Sequence, residues 1–333
     1  MKRMMFAVVL LAMITMASCE VTSAFKQSYA EDNLPLVTKK IAMKESFSSI
    51  ANYTVIDVVY KQDSTELVEL VCPEECSKHI EIKVENGNMA VSLDSKLSDS
   101  ERNVLSRKLS RSKLYVTSVN LTKVVVNGSS SFVVNGDLYT DEFLAQLNGS
   151  GDVSLNGVQC AKGDFYVSVN GSGDVIVSRE VKAKTVNVNV NGSGDVKCEM
   201  LTAYNVVGQV NGSGDVVMSN VLAVKSQFGV NGSGDVKTNN IECDIIIATM
   251  TGSGDVVMSG KCESATLSLI GSGDISAKML EAQDVDARVT HSGDITCNAQ
   301  RHLTAKVTGS GCVGYKGNPQ VVIEGDKDNV YKL

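Results

Sequence analysis

Tryptophan is absent from this chain of 333 residues, proline and histidine each occur three times, and aromatic residues make up only 5%. Polysaccharide-degrading enzymes built on β-scaffolds need aromatic sugar platforms beside an irregular cluster of acids and bases. With no Trp, and with His79, His291 and His302 scattered along the chain, a catalytic role is not expected. The same lack of Trp counts against a β-propeller, whose blades also need about 40 to 45 residues each. No segment of the repetitive region has an apolar period of 3.6 residues long enough for a crossover helix, so βαβ units are excluded. Beyond the N-terminus no run of about 18 apolar residues occurs, so the mature chain carries no spanning helix. A formal net charge of −7 and a pI near 5.1 argue against nucleic acid as a partner.

What the chain does have is a recurring tetrapeptide. Gly-Ser-Gly-Asp returns about every 20 residues, with its serine at Ser150, Ser172, Ser193, Ser213, Ser233, Ser253 and Ser272. Degenerate copies extend the series to Gly128-Ser129-Ser130-Ser131, His291-Ser292-Gly293-Asp294 and Gly309-Ser310-Gly311-Cys312. In the unit from Val186 to Val206, Val186, Val188 and Val190 alternate with Asn187, Asn189 and Asn191, the period-2 pattern of a strand with one buried face. The tetrapeptide interrupts, Val196 and Cys198 restart the alternation, and Leu201 to Ala203 supply a second bend. Each unit therefore reads as two short strands and two turns. The fold expected is all-β: a single-stranded, right-handed parallel β-helix, or β-solenoid, with coils of about 20 residues and Gly-Ser-Gly-Asp corners. At about 4.8 Å per coil, roughly ten coils make a rod about 45 to 50 Å long.

The corner glycines, Gly149, Gly151, Gly171, Gly173, Gly192, Gly194, Gly212, Gly214, Gly232, Gly234, Gly252, Gly254, Gly271 and Gly273, fit a bend that needs positive φ or close backbone approach. The serine between them is small enough for the crowded inside of the bend. Constant spacing stacks equivalent residues, predicting an amide ladder of Asn148, Asn170, Asn191, Asn211 and Asn231. A carboxylate ladder of Asp152, Asp174, Asp195, Asp215, Asp235, Asp255, Asp274 and Asp294 should run beside it. Unit charges about 4.8 Å apart repel by roughly 0.9 kcal/mol per pair even in water, so the row must be solvated, hydrogen-bonded or neutralised by cations. These aspartates are the chain's calcium candidates, but one per corner is too few ligands for a closed site. No metal or other cofactor is expected.

The N-terminus reads Met1-Lys2-Arg3, an apolar run from Met4 to Met16, then Ala17-Ser18-Cys19. This is an export signal over residues 1–18. Its ending resembles the lipobox of bacterial lipoproteins, making Cys19 the lipidated first residue and residues 19–40 a lipid anchor and polar tether. Residues 41–115 alternate without the glycine corner and read as irregular first coils or a cap, with a basic loop at 97–113. The array proper occupies 116–322, and 323–333 forms a C-terminal tail. Cys72 and Cys76 lie close enough to bridge in an oxidising compartment; zinc would need two further ligands, with only His79 nearby. Cys243 and Cys262 fall at nearly the same phase of successive coils, as stacked core thiols or a disulfide. Cys160, Cys198 and Cys297 read as core, and Cys312 stands in the aspartate row.

The succession of corners, closed by Gly309-Ser310-Gly311-Cys312-Val313-Gly314-Tyr315-Lys316-Gly317-Asn318-Pro319, resembles the head GIN domain family of auto-transporter adhesins. So do Phe47-Ser48-Ser49-Ile50 and the lead-in from Lys113-Leu114-Tyr115-Val116-Thr117 to Gly128-Ser129. The resemblance implies a β-helix-like fold, an exported or surface location in a bacterial envelope, and no catalytic residues to carry over. It implies an adhesin-like protein with an unidentified protein or glycan ligand, or a structural envelope lipoprotein without one, and leaves a homo-oligomer open.

Overall fold

The computed structural model describes residues 34–333. The export signal, Cys19 and the first part of the tether lie outside the described residues. Strands account for 64% and helix for 5%, and the chain winds into a parallel β-solenoid of about ten turns with coils of about 20 residues.

Alternation drives the winding. The residue directly after each corner points inward, and Val153, Val175, Val196, Val216, Val236, Val256, Ile275, Ile295 and Val313 form one fully buried column along the axis. Register is kept residue by residue: Val216 pairs with Val236, Phe228 with Ala248 and Gly232 with Gly252. Because side chains alternate with period 2, a one-residue slip would turn every valine outward, which is what fixes the register. Large residues sit against small ones along the axis, as where Phe228 packs beside Gly208, and Phe143 stacks on Phe165 at 6.0 Å between ring centroids.

One detail departs from the sequence reading. From Val175 to Gly309 each coil is a single bent strand of up to 17 residues, such as Val216–Gly232 and Val236–Gly252, in place of two short strands. The second bend turns at Asn220, Asn240 and Gly260, with φ of 49°, 56° and 129°. Asparagine tolerates positive φ, and Asn240 Nδ2 donates to Asn220 Oδ1 at 2.9 Å, so an amide pair bonds the two coils at this bend as well.

The N-terminal end is closed by antiparallel pairing. Leu36–Lys40, the end of the expected tether, is a strand paired with Leu67–Pro73, which pairs in turn with Lys113–Ser118. Ile80–Glu85 and Asn88–Leu93 form a hairpin whose turn uses Asn86 and Gly87 at φ 51° and 74°, the Asn-Gly signature of a two-residue connection. The stretch read as a basic loop contains the helix Asp99–Lys108. Its start is a capping box: Ser98 Oγ accepts from Glu101 N, and Glu101 Oε2 accepts from Ser98 N at 2.8 Å. Leu105 and Leu109 are buried against the solenoid end.

Residues 323–333, read as a tail, take part in the solenoid. Gln320–Gly325 stacks on the stretch from His302 to Val307, and Val330–Lys332 stacks on Val313 to Tyr315. The alternating Val321, Ile323 and Val330 make this possible. Among the described residues no helix is long and apolar enough to cross a membrane.

Candidate functional site: the corner ribbon

The corner from Asn211 to Asp215 shows how each tetrapeptide is held. Ser213 N and Gly214 N both donate to Gly192 O, at 3.0 and 3.3 Å, and Val216 N donates to Asp235 O at 2.9 Å. A β-carbon on Gly212 or Gly214 would overlap the carbonyl oxygen of Gly192 or Gly194 one coil earlier. The same overlap faces Gly149, Gly151, Gly171, Gly173, Gly192, Gly194, Gly232, Gly234, Gly252, Gly254, Gly271 and Gly273. Close approach is therefore the common requirement; positive φ is added at only some of the first glycines, among them Gly252 at 135°.

The orientation corrects the expectation for serine. The second glycine of each corner is the buried one, while Ser150, Ser172, Ser193, Ser213, Ser233, Ser253 and Ser272 are all exposed. With a peptide carbonyl pressed against the inner position, only a hydrogen fits there, and the side chain between the glycines is directed to solvent.

The aspartate row is a hydrogen-bond relay between coils. Asp174 N donates to Asp152 Oδ1 at 3.0 Å, Asp195 N to Asp174 Oδ1 at 2.8 Å, and Asp215 N to Asp195 Oδ1 at 2.8 Å. The pattern continues through Asp235, Asp255, Asp274 and Asp294. It ends where Cys312 N donates to Asp294 Oδ1 at 2.8 Å. Each carboxylate thus bonds the next coil's backbone. Lys237 Nζ adds an ion pair at 2.9 Å to Asp235. Among the described residues no three His, Cys, Asp or Glu side chains come together in a set able to hold a metal.

The asparagine ladder runs from Asn127 through Asn148, Asn170 and Asn191 to Asn211, each Nδ2 donating to the Oδ1 below at 2.7 to 2.9 Å. Sequence reasoning missed Asn127, although it lies a repeat before Asn148. It also missed Asp57, whose Oδ1 accepts from Ser131 N at 2.9 Å, because no glycine flags that early corner. Asn52 is buried there, donating to Ile56 O and Ser130 Oγ, both at 2.8 Å.

The two degenerate corners at the C-terminal end of the array differ from each other. His291 stands in a first-glycine position at φ 88°, exposed, with Nδ1 3.0 Å from its neighbour's carbonyl at Thr290. Cys312 is half-buried. Cys72 and Cys76 are buried free thiols, Cys72 next to last in the strand Leu67–Pro73 and Cys76 in the following 3-10 turn. Burial pushes the Cys72 thiol up to about 11, with Cys76 adding to the shift.

Away from the ribbon, Asp284 accepts from Arg301 Nε at 3.0 Å and lies 2.7 Å from His302 Nδ1, while Arg301 also reaches Glu263 at 3.0 Å. Arg301, with His302 second, holds the Asp284 carboxyl down at about 2. A carboxylate so fully ionised is a poor general acid. A cleft of about 390 Å³ lies at the cap between the 3-10 turn and the helix, lined by Cys76, His79, Leu97, Val104 and Lys108.

The sequence profile of the family described as "Putative auto-transporter adhesin, head GIN domain" matches residues 46–227 and 209–319. No curated protein matches the chain. Among solved structures, a "putative adhesin" from Bacteroides fragilis is 19% identical, the match covering 90% of this chain and 93% of that one at a TM-score of 0.32. A "putative adhesin" from Parabacteroides merdae is 21% identical over 90% and 97%, at 0.38. A "putative lipid binding protein" from Parabacteroides distasonis is 19% identical over 90% and 98%, at 0.34.

Proposed function

The chain belongs to the head GIN domain family, and from that premise we propose that it is a non-catalytic, adhesin-like binding protein of the bacterial cell envelope, exported by residues 1–18 and held to the outer membrane by lipid on Cys19. The corner ribbon is its binding face, and its ligand is an envelope or host protein or glycan. One observation carries this reading: the corner serines form an exposed column whose hydroxyls make no hydrogen bond within the described protein. A regular column offers many equivalent weak contacts, and multivalent engagement along the rod turns them into useful avidity.

The test is binding of the purified protein to immobilised glycans and matrix proteins, repeated with Ser193, Ser213 and Ser233 all changed to Lys. Saturable binding that the triple variant loses, at unchanged melting temperature, supports the reading. Binding that the variant retains moves the site off the ribbon. If no ligand saturates and deletion of the gene weakens the envelope, the protein is instead a structural envelope lipoprotein.

A further inference from the structure

We propose that Cys243 and Cys262 form an oxidation site, at which a disulfide-bearing oxidant joins two successive coils through an inter-coil disulfide. The two residues are direct register partners in the parallel strands Val236–Gly252 and Val256–Gly271. Neighbouring strands lie about 4.7 to 4.9 Å apart, within the Cα separation of about 4.4 to 6.8 Å that a disulfide spans. The other array cysteines have no such partner: Cys160 pairs with Thr140, Cys198 with Val177 and Met218, and Cys297 with Tyr315. A register irregularity in the same pair of strands lies just before the site, between Thr238 and Ile241.

Access separates this pair from ordinary core thiols. Cys243 and Cys262 are 8% and 7% exposed, whereas Cys198 and Cys297 are at 0% and 1%; Cys160, also at 8%, has Thr140 and no cysteine beside it. The two lie on the wall of an open groove of about 340 Å³, beside Leu222, Ala223, Glu242 and Lys261. An oxidant's disulfide entering the groove is attacked by one thiolate. The resulting mixed disulfide is then displaced by the second, so both protein thiols lose their protons and the oxidant leaves as two thiols. Burial holds the two thiols up, at about 11 for Cys243 and about 12 for Cys262, so bridging accelerates by up to about tenfold per pH unit as the thiolate fraction rises. The bridge closes the coil through residues 244–261 and staples the rod part-way along its array.

The test is to treat the full chain with oxidised glutathione at pH 8.5, alkylate the remaining thiols under denaturing conditions and map the peptides. The expected result is a single peptide pair linking Cys243 to Cys262, with Cys198 and Cys297 alkylated. The melting temperature should rise by several degrees on oxidation, a rise absent from Cys243→Ser and Cys262→Ser. Full alkylation of Cys243 and Cys262 after treatment would overturn the proposal. So would bridging confined to Cys72 and Cys76, or a Cys262→Ser variant that keeps the oxidation-dependent rise.

Discussion

Replacing Gly214 by alanine separates two explanations for the recurring glycines. The φ of Gly214 is not in the left-handed region, so alanine could adopt its backbone conformation; only the approach of the neighbouring coil forbids the methyl group. That methyl would overlap the Gly194 carbonyl oxygen and lie 2.9 and 3.0 Å from the carbonyl carbons of Gly194 and Ser193, all backbone atoms. Seating it requires the corner to lift away from the coil below. The bonds then lost are Ser213 N and Gly214 N to Gly192 O, and Asp215 N to the Asp195 carboxylate. At about 1 kcal/mol for each neutral bond and about 1.5 to 3 for the one to a charged acceptor, the loss is about 3.5 to 5 kcal/mol. The lower backbone entropy of alanine in the unfolded chain returns about 0.5 to 1 of that. Gly214→Ala should therefore cost about 2.5 to 4.5 kcal/mol in urea unfolding followed by far-UV circular dichroism. Gly229→Ala is the control: its nearest neighbours are side-chain atoms, Thr249 Oγ1 at 3.3 Å and Gln209 Cγ at 3.8 Å. It should stay within about 0.5 kcal/mol of the parent. A Gly214→Ala protein as stable as the control would refute close approach as the reason for the motif.

The other predictions concern single groups. Asp215→Ala strands the Asp235 amide and should cost about 1 to 3 kcal/mol. Asp215→Asn keeps an acceptor and removes like-charge repulsion of roughly 0.9 kcal/mol per neighbour, so it should match or exceed the parent at low salt, with the difference shrinking in high salt. His291→Gly relieves a non-glycine residue at φ 88°, a strain of roughly 1 to 2 kcal/mol; less the entropy of glycine, about 0.5 to 1 kcal/mol of stabilisation should remain. The thiols of Cys160, Cys198 and Cys297 are each pushed up to about 12 by burial. Below about pH 8.5 they are protonated in both states. Above it the unfolded chain alone sheds protons, and stability falls by about 1.4 kcal/mol per pH unit per thiol. Melting at pH 8 and pH 10 checks this, and Cys198→Val should make the alkaline loss shallower.

The solenoid was legible because its two signals agree: period-2 valines demand strands, and a repeat of about 20 residues leaves no room for helices between them. Spacing also identified which aspartates stack and most of the asparagines, but it missed Asn127 and carried the amide ladder on to Asn231, where the structure ends it at Asn211. It could not say which way a corner residue points, since glycine, serine and glycine are all compatible with a bend. Only the coil beneath, with its carbonyl against the second glycine, decides that the serine faces out. The partner of each aspartate was hidden for a similar reason, being an amide about 20 residues ahead. The helix had its signal in Ser98 and Glu101, masked by the basic composition of the segment.

The corner divides its tasks unevenly, and the division points to the serine. Both glycines are required by the coil below. The aspartate's bond to the next amide is worth about 1.5 to 3 kcal/mol against roughly 0.9 kcal/mol of repulsion per neighbour, so the row favours stacking despite its charge. The exposed asparagine position is freely varied along the rod, becoming Thr251, Ile270 and Thr290 after Asn231. Serine has neither excuse. It is exposed, makes no hydrogen bond through its hydroxyl within the described protein, and occupies a position where solvent would accept almost any side chain. Yet it stands in every corner from Ser129 through Ser292 to Ser310, even where the flanking glycine has become histidine or the aspartate has become cysteine. Packing, hydrogen bonding and backbone geometry within the described residues leave this one residue type unexplained, and it is on this column that the proposed binding role of the ribbon rests.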